Sequence, residues 1–365
     1  MKKIVAFLIL IAPSIIMGQT KKIVMVVSSY GKDMGKTRPG FEMDEFSQAY
    51  YIFKANGLAI DVASPKGGAV EAGQFNKEKL YNKAILEDSM ASSLLKKTKP
   101  TALLNAKNYD AIYIVGGKGP MFDLVVDPSL QDFIVELDQK KAVISAVCHG
   151  TIALANIKKD KKYLVENKAL TGFCNEEETQ FGKSGAEFPF LLEDRLLLRG
   201  AKFQKGPSML PFMIKDDNYI SGQNPYSVTL VAEEIVKSLG KIPVARVKYK
   251  DELSMELVKR AVLGELNYAQ DELKQNANKY DLELIAVYGY YQAMYAKDDL
   301  VKIKKATDII ELAKPYYFNE DLYLPLADYY VKLGDKTKAK ATLNEVIIKN
   351  PNSEKAKKML VKLND

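Results

Sequence analysis

The chain has 365 residues, of which 47% are hydrophobic and 27% charged, and its formal net charge is +7 at pH 7. This is the composition of a globular protein, and the length is enough for two domains, so a disordered or collagen-like chain is excluded. The small, dispersed positive charge does not favour nucleic acid as a partner. Two cysteines make no disulfide framework or zinc site, and any catalytic imidazole must belong to His149, the single histidine.

The first 18 residues have the pattern of a secretory signal peptide. Lys2 and Lys3 precede an apolar run over residues 4–17, which is shorter than the roughly 20 residues that a membrane-spanning helix needs. We therefore expect residues 1–18 to be removed and the mature protein to be periplasmic or secreted, with no stable membrane span. The alternative is that this run forms a buried N-terminal strand or helix.

Residues 19–242 alternate between short apolar runs and segments with helical spacing. This alternation predicts an α/β domain with a parallel sheet covered by helices on both faces. In such sheets the ligand site lies beyond the carboxyl ends of the strands. The predicted strands are 23–28, 58–63, 109–115 and 142–147, and the predicted helices include 42–56 and 130–139.

Two of the predicted strands are followed by residues of the types that take part in catalysis. Cys148, His149 and Gly150 follow the fourth strand and precede a helical segment, the arrangement of a nucleophile elbow. The dipole of that helix is expected to favour the Cys148 thiolate. Gly116, Gly117 and Lys118 follow the third strand, and backbone N–H groups there are expected to form an oxyanion hole with that of His149. The alternative for Cys148 is a buried structural thiol.

Residues 243–365 are predicted to form an all-α domain. Gly becomes rare there, and apolar residues recur at intervals of three and four. One helix–turn–helix segment resembles a tetratricopeptide repeat, and residues 281–315 resemble an earlier, degenerate copy. The tyrosines of this region are candidates for binding a protein or peptide partner. The alternative is a plain helical bundle. The residues at the signature spacings are Tyr323, Leu326, Ala327, Tyr330, Gly334, Ala339, Leu343 and Pro351.

Residues 21–240 resemble the DJ-1/PfpI (ThiJ/PfpI) superfamily. The resemblance implies a flavodoxin-like sheet of the class I glutamine amidotransferase-like type. The long spacing between the second and third of the matching strings resembles the larger chaperone/glyoxalase III-like branch. These strings are GFEMDEFSQAYYIFKANG (40–57), ASPKGG (63–68), YDAIYIVGGKGPMFDL (109–124), AVISAVCHG (142–150), LTGFCNEEE (170–178), FPFLLED (188–194) and SGQNP (221–225).

The resemblance also implies roles for single residues. Cys148 matches the nucleophile, His149 its neighbour in a triad, and Glu45 the acid that faces the sulfur. For the third triad member the adjacent Glu176, Glu177 and Glu178 compete, and Glu177 is our choice. Gly116, Gly117 and Lys118 match the oxyanion and substrate-binding turn, although relatives commonly carry His at the position of Lys118. Cys174, in the loop with the glutamates, is expected to be a small buried thiol.

The activity that the resemblance implies is glyoxalase III-like conversion of methylglyoxal and related 2-oxoaldehydes to hydroxy acids, with no cofactor and no metal. One alternative is a cysteine peptidase or amidase that uses the same nucleophile. Another is a stress-protective chaperone or oxidant sensor whose helical repeats bind clients. Relatives commonly form homodimers, so the resemblance implies a homodimer as a hypothesis for this protein.

The predicted signal peptide can be tested by N-terminal sequencing of the protein purified from its native host. We expect a start near Gln19, because Gly18 and Gln19 follow the apolar run directly. A mature chain that begins at Met1 or Lys2 would contradict the prediction.

Overall fold

A computed structural model describes residues 20–182 and 187–364 of the chain. The predicted signal peptide lies outside these residues. Among the described residues, no helix combines the length and the apolar character that crossing a bilayer requires. The strands are β1 (Lys22–Val26), β2 (Ala59–Ser64), β3 (Lys99–Pro100), β4 (Ala111–Ile114), β5 (Val143–Val147), β6 (Lys158–Lys159), β7 (Lys162–Tyr163), β8 (Ala169–Leu170), β9 (Lys202–Phe203), β10 (Met213–Asp216) and β11 (Tyr219–Gly222).

The helices divide into two groups, which lie on either side of residue 240. The first group belongs to the α/β part and comprises α1 (Met43–Ala55), α2 (Leu80–Glu87), α3 (Ser89–Lys96), α4 (Pro128–Gln139), α5 (Asn175–Glu177), α6 (Leu192–Leu198) and α7 (Val228–Ser238). The second group comprises α8 (Lys250–Val262), α9 (Leu266–Asn276), α10 (Leu282–Tyr295), α11 (Leu300–Ala313), α12 (Glu320–Lys332), α13 (Lys336–Lys349) and α14 (Glu354–Asn364).

Seven strands form one sheet in the order β10-β11-β5-β4-β1-β2-β3. Every pairing in it is parallel except that of the edge strand β10 with β11. Strands β4 and β5 are buried along their whole length, as expected for parallel strands with helices on both faces. The predicted flavodoxin-like architecture is confirmed.

The two faces of the sheet carry separate hydrophobic cores. Side chains alternate along β1, so that Val24 and Val26 face one core while Ile23 and Met25 face the other. Helix α4 covers the first face, and α1 and α7 pack side by side on the second. The N-terminus of α1 lies at the carboxyl ends of the central strands, where the candidate site is expected.

The region after residue 243 is all-helical, as predicted. Helix α10 packs against α11 and α12 against α13, and a shared core runs from Met255 to Ala356. In α10, a Cβ on Gly289 would lie 2.7 Å from Cγ1 of Ile310 and 2.8 Å from the carbonyl oxygen of Ala306. Glycine at this point is what lets the two helices approach so closely. The tetratricopeptide character of these helix pairs stays a prediction.

A polar cluster joins the helical region to the α/β part. The Tyr81 hydroxyl donates to Asp251 at 2.6 Å and lies 3.1 Å from Asp44. The Lys79 ammonium lies 2.6 Å from Asp44 and 3.2 Å from Asp251. Because Tyr81 and Asp251 are both buried, these charge-assisted bonds have little competition from water. They tie α8 to the first turn of α1.

Tyr81→Phe should lower the free energy of unfolding by about 1–3 kcal/mol, because it leaves buried carboxylate oxygens without their hydroxyl partner. Tyr316→Phe is the matched control, since Tyr316 is 39% exposed. Chemical denaturation followed by circular dichroism measures both variants. Equal stability of the two variants would contradict a structural role for the cluster.

Candidate active site

Cys148 stands at a sharp turn between β5 and a short 3₁₀ helix, Cys148–Leu154. Its φ is +55°, a left-handed conformation that non-glycine residues rarely adopt. The next turn residue, Gly150, has no room for a side chain, because a Cβ there would lie 2.6 Å from the carbonyl oxygen of Ile114. The backbone geometry is therefore that of the predicted nucleophile elbow, and strain of this kind is common at functional sites.

Glu45 and Gly116 meet Cys148 at this turn. The Gly116 N–H donates to Oε2 of Glu45 at 2.6 Å, and the Glu45 side chain also hydrogen-bonds Cys148. A Cβ on Gly116 would lie 2.7 Å from Glu45 Oε2 and 2.8 Å from Cys148 Cβ. Any larger residue at position 116 would separate the carboxyl group from the thiol. The structure thus brings three of the predicted site residues together. It also corrects the expected oxyanion role of the Gly116 N–H, because Glu45 already accepts that N–H.

Burial keeps both acids of this pair protonated. It raises the pKa of Glu45 well above its ordinary value, and the neighbouring carboxyl of Glu42 raises that pKa further. Burial, and then Glu45, raise the pKa of the Cys148 thiol. The expectation that the helix dipole favours the thiolate is therefore wrong, since the short 3₁₀ helix does not offset the loss of solvation.

His149 links the thiol to a carboxylate. Its Nδ1 lies 3.5 Å from Cys148 Sγ, and its Nε2 lies 2.6 Å from Oε2 of Glu178. The imidazole packs on Phe173, with ring centroids 4.5 Å apart, which fixes its orientation. With Nε2–H donated to Glu178, Nδ1 is the acceptor that faces the thiol. Cys148, His149 and Glu178 have the spatial order of a catalytic triad.

Glu178, and not Glu177, contacts His149, which corrects our choice among the three glutamates. Successive residues of a helix point about 100° apart, so a carboxyl at 177 cannot replace one at 178. Glu177 turns to the opposite side and accepts hydrogen bonds from Met209 N at 2.7 Å, Gln223 Nε2 at 2.8 Å, Asn224 Nδ2 at 2.8 Å and Cys174 N at 3.1 Å. Its role is to hold the site loop on the segment that contains SGQNP.

A cavity of about 420 Å³ opens above the elbow. Glu42 lies in its wall and was missed by the sequence analysis, although its position one helical turn before Glu45 is a signal that could have found it. Gly117, at φ +86°, closes the floor, since a Cβ there would lie 2.5 Å from Glu42 N. The other lining residues are Met34, Gly35, Lys36, Pro39, Gly40, Phe41, Gly73, Gln74, Lys118, Cys148, His149, Phe173, Phe181, Met209 and Pro225.

Cys174 is fully buried and carries a free thiol. Burial raises its pKa to about 12, and its own N–H donates to Glu177. Within residues 20–182 and 187–364, no cluster of His, Cys, Asp and Glu has the arrangement to hold a metal ion.

The helical region contacts the cavity wall. Phe181 packs on Tyr291 and Tyr295 of α10, with ring centroids 5.5 and 6.0 Å apart. Met209 packs against both the α/β core and the helical core. Two lining residues are thus supported from outside the α/β part.

Residues 37–238 match the DJ-1/PfpI family, and the chain belongs to this family. It is 28% identical to the glutathione-independent glyoxalase hsp3101 of Schizosaccharomyces pombe, over 60% of this chain and 97% of the relative. It is 27% identical to the glutathione-independent glyoxalase HSP31 of Saccharomyces cerevisiae, over 60% and 98%. The crystal structure of the Rapid Encystment Protein 24 kDa of Francisella tularensis aligns with a TM-score of 0.57 at 32% identity, over 60% and 99%.

Glu178→Gln should slow carbamidomethylation of Cys148 at pH 7 by about 10²-fold, because an amide can fix the imidazole in the tautomer that no longer accepts the thiol proton. Its unfolding free energy should change little. Glu177→Gln should behave oppositely and lose about 1–3 kcal/mol of stability, because an NH₂ group would face N–H donors. Mass spectrometry of the labelled peptide and chemical denaturation measure the two effects. Similar labelling rates in both variants would contradict the assignment of Glu178.

Proposed function

We propose that this chain is a cofactor-independent, glyoxalase III-like enzyme, which uses Cys148 to convert methylglyoxal and related 2-oxoaldehydes to 2-hydroxy acids. The observation that carries the proposal is the convergence of a thiol, a buried carboxyl and an oriented imidazole on one small cavity. The relatives that are named glutathione-independent glyoxalases support it.

Thiol addition to the aldehyde is the first step that the geometry supports. The Cys148 sulfur forms a bond to C1, and the π electrons of the C1 carbonyl move to its oxygen. His149 Nδ1, 3.5 Å from the sulfur, takes the thiol proton and returns it to that oxygen. The product is a neutral hemithioacetal. Because the thiol is protonated at rest, an adjacent base is needed for this step.

Proton transfer between C1 and C2 is the second step. The Glu45 carboxylate removes the proton from C1 while the C2 oxygen takes a proton from an acid of the cavity, which gives an enediol. Glu45 then delivers its proton to C2 while the C1 hydroxyl returns a proton to that acid, which leaves a thioester at C1. Glu45 starts protonated, so it first passes its own proton to the neutral His149 imidazole and takes it back when the thiol is restored. Burial makes the carboxylate formed in this way a strong base. Water then cleaves the thioester, which releases the 2-hydroxy acid and restores the thiol.

A cysteine hydrolase is the second candidate, since a Cys148–His149–Glu178 triad also suits attack on an amide carbonyl. The two candidates differ in the use of Glu45. Isomerisation needs a carboxylate beside the sulfur to move a proton between carbons, whereas amide hydrolysis needs the triad and backbone N–H donors for the oxyanion, and the Gly116 N–H is already donated to Glu45. The Glu45–Cys148 contact favours the isomerisation.

Cys148→Ala should abolish conversion of methylglyoxal, with a loss of at least about 10²–10⁴-fold, because both covalent steps require the sulfur. Cys174→Ala is the matched control and should keep turnover, because this thiol lies outside the cavity. Lactate formation is measured by chromatography, with casein peptides as a hydrolysis substrate and a heat-aggregating protein as a chaperone client. Turnover of methylglyoxal by Cys148→Ala would contradict the mechanism, and peptide hydrolysis without lactate formation would favour the hydrolase.

A further inference from the structure

Glu42 is a second carboxyl of the cavity, and the mechanism above assigns it no role. It is the N-cap residue of α1, three positions before Glu45, and its backbone there is extended. Its backbone N–H donates to the Gly116 carbonyl at 3.0 Å. This bond fixes Glu42 against the same turn that holds Glu45 beside the thiol.

The Glu42 side chain caps the first turn of α1 and lines the cavity. Its carboxylate accepts one long hydrogen bond, 3.5 Å, from the Asp44 N–H. It lines the cavity together with Cys148, His149 and Gly117. A small carbonyl compound attached to Cys148 would therefore lie in the cavity that Glu42 lines, next to the sulfur that Glu45 contacts.

Several charged and titratable groups surround Glu42. Burial, followed by the charge of Asp44, raises its pKa to about 7, and the ammonium of Lys79 opposes that rise. Glu42 is thus partly protonated near neutral pH, which is the condition for an efficient general acid. Asp44 and Glu45 on α1 and Lys79 before α2 interact electrostatically with it. The other charged and titratable residues that line the same cavity are Lys36, Lys118, Cys148 and His149.

We propose that Glu42 is a further catalytic residue, which hydrogen-bonds the C2 oxygen of the 2-oxoaldehyde and gives it a proton as Glu45 removes the proton from C1. The inference rests on the proposed function. The C1–H electron pair becomes the C1–C2 π bond, and the C2 carbonyl π pair takes the proton from Glu42. When Glu45 protonates C2, the C1 oxygen becomes the thioester carbonyl and its proton returns to the Glu42 carboxylate. Both acids are thereby restored.

The neutral form of Glu42 assists Glu45 as well. An ionised Glu42 raises the pKa of Glu45, so a protonated Glu42 makes the Glu45 carboxylate easier to form. Since Glu42 loses its proton as pH rises through about 7, its contribution is present below that pH and is lost above it. This gives the residue a pH signature that a purely structural role would lack.

Glu42→Gln should lower kcat for methylglyoxal by about 10²-fold at pH 6, because an amide can hydrogen-bond the oxygen but cannot donate a proton to it. At pH 8 the defect should shrink to about 10-fold, because most of the wild-type donor is already ionised one unit above its pKa. KM should change less than kcat. Glu136→Gln is the matched control, since Glu136 is an exposed residue of α4 on the other face of the sheet, and it should follow the wild-type profile.

Carbamidomethylation of Cys148 supplies a readout that does not require turnover. An ionised Glu42 opposes formation of negative charge at Glu45 and Cys148, so Glu42→Gln should be labelled faster than wild type above pH 7 and at a similar rate below pH 6. A kcat defect or a labelling ratio that is constant with pH would overturn the inference. A pH-dependent labelling ratio in a protein without methylglyoxal turnover would support Glu42 as a titrating group of the cavity and overturn the reaction instead.

Discussion

The hydrogen bond from the Gly116 N–H to Glu45 is the contact on which the rest of the site depends. It joins the turn after β4 to α1 and sets a carboxyl beside the elbow of the neighbouring strand β5. It requires a residue without a side chain, because a Cβ would meet the carboxylate and the thiol together. Burial raises the pKa of Glu45 and of the Cys148 thiol, so reactivity must come from His149 or from a bound substrate and not from a resting thiolate.

Glu177 extends this organisation to the opposite wall. Its four hydrogen bonds join the site loop to Met209 and to the amides of Gln223 and Asn224. Burial raises the pKa of Glu177, and these hydrogen-bond donors lower it. The residue therefore stabilises the loop only while the donors remain in place. The adjacent Glu178 then faces His149. The structural carboxyl and the candidate triad carboxyl therefore belong to adjacent residues.

The sequence predicts those features that depend on short stretches of chain. Alternating apolar runs predict the parallel sheet, and a cysteine between a strand and a helical segment predicts the elbow, which the +55° φ of Cys148 matches. The choice between Glu177 and Glu178 depends on the rotation of α5 against a segment some 45 residues away, which no local pattern reveals. The protonated state of Cys148 likewise depends on three-dimensional burial, as does the position of Glu42 in the cavity wall.

The sequence also does not reveal that the helical region supports the wall of the cavity. Every candidate catalytic residue precedes residue 240, so the sequence places the candidate site and the helical region in separate parts of the chain. In three dimensions, Leu210 is buried in the helical core while the preceding Met209 lines the cavity and donates its N–H to Glu177. The Lys259 ammonium of α8 holds the Pro211 carbonyl at 2.6 Å. A shift of α8 would therefore move Met209 and, through Glu177, the loop that aligns Glu178 with His149. The helices thus act on the site by supporting its wall, without contributing a reacting group.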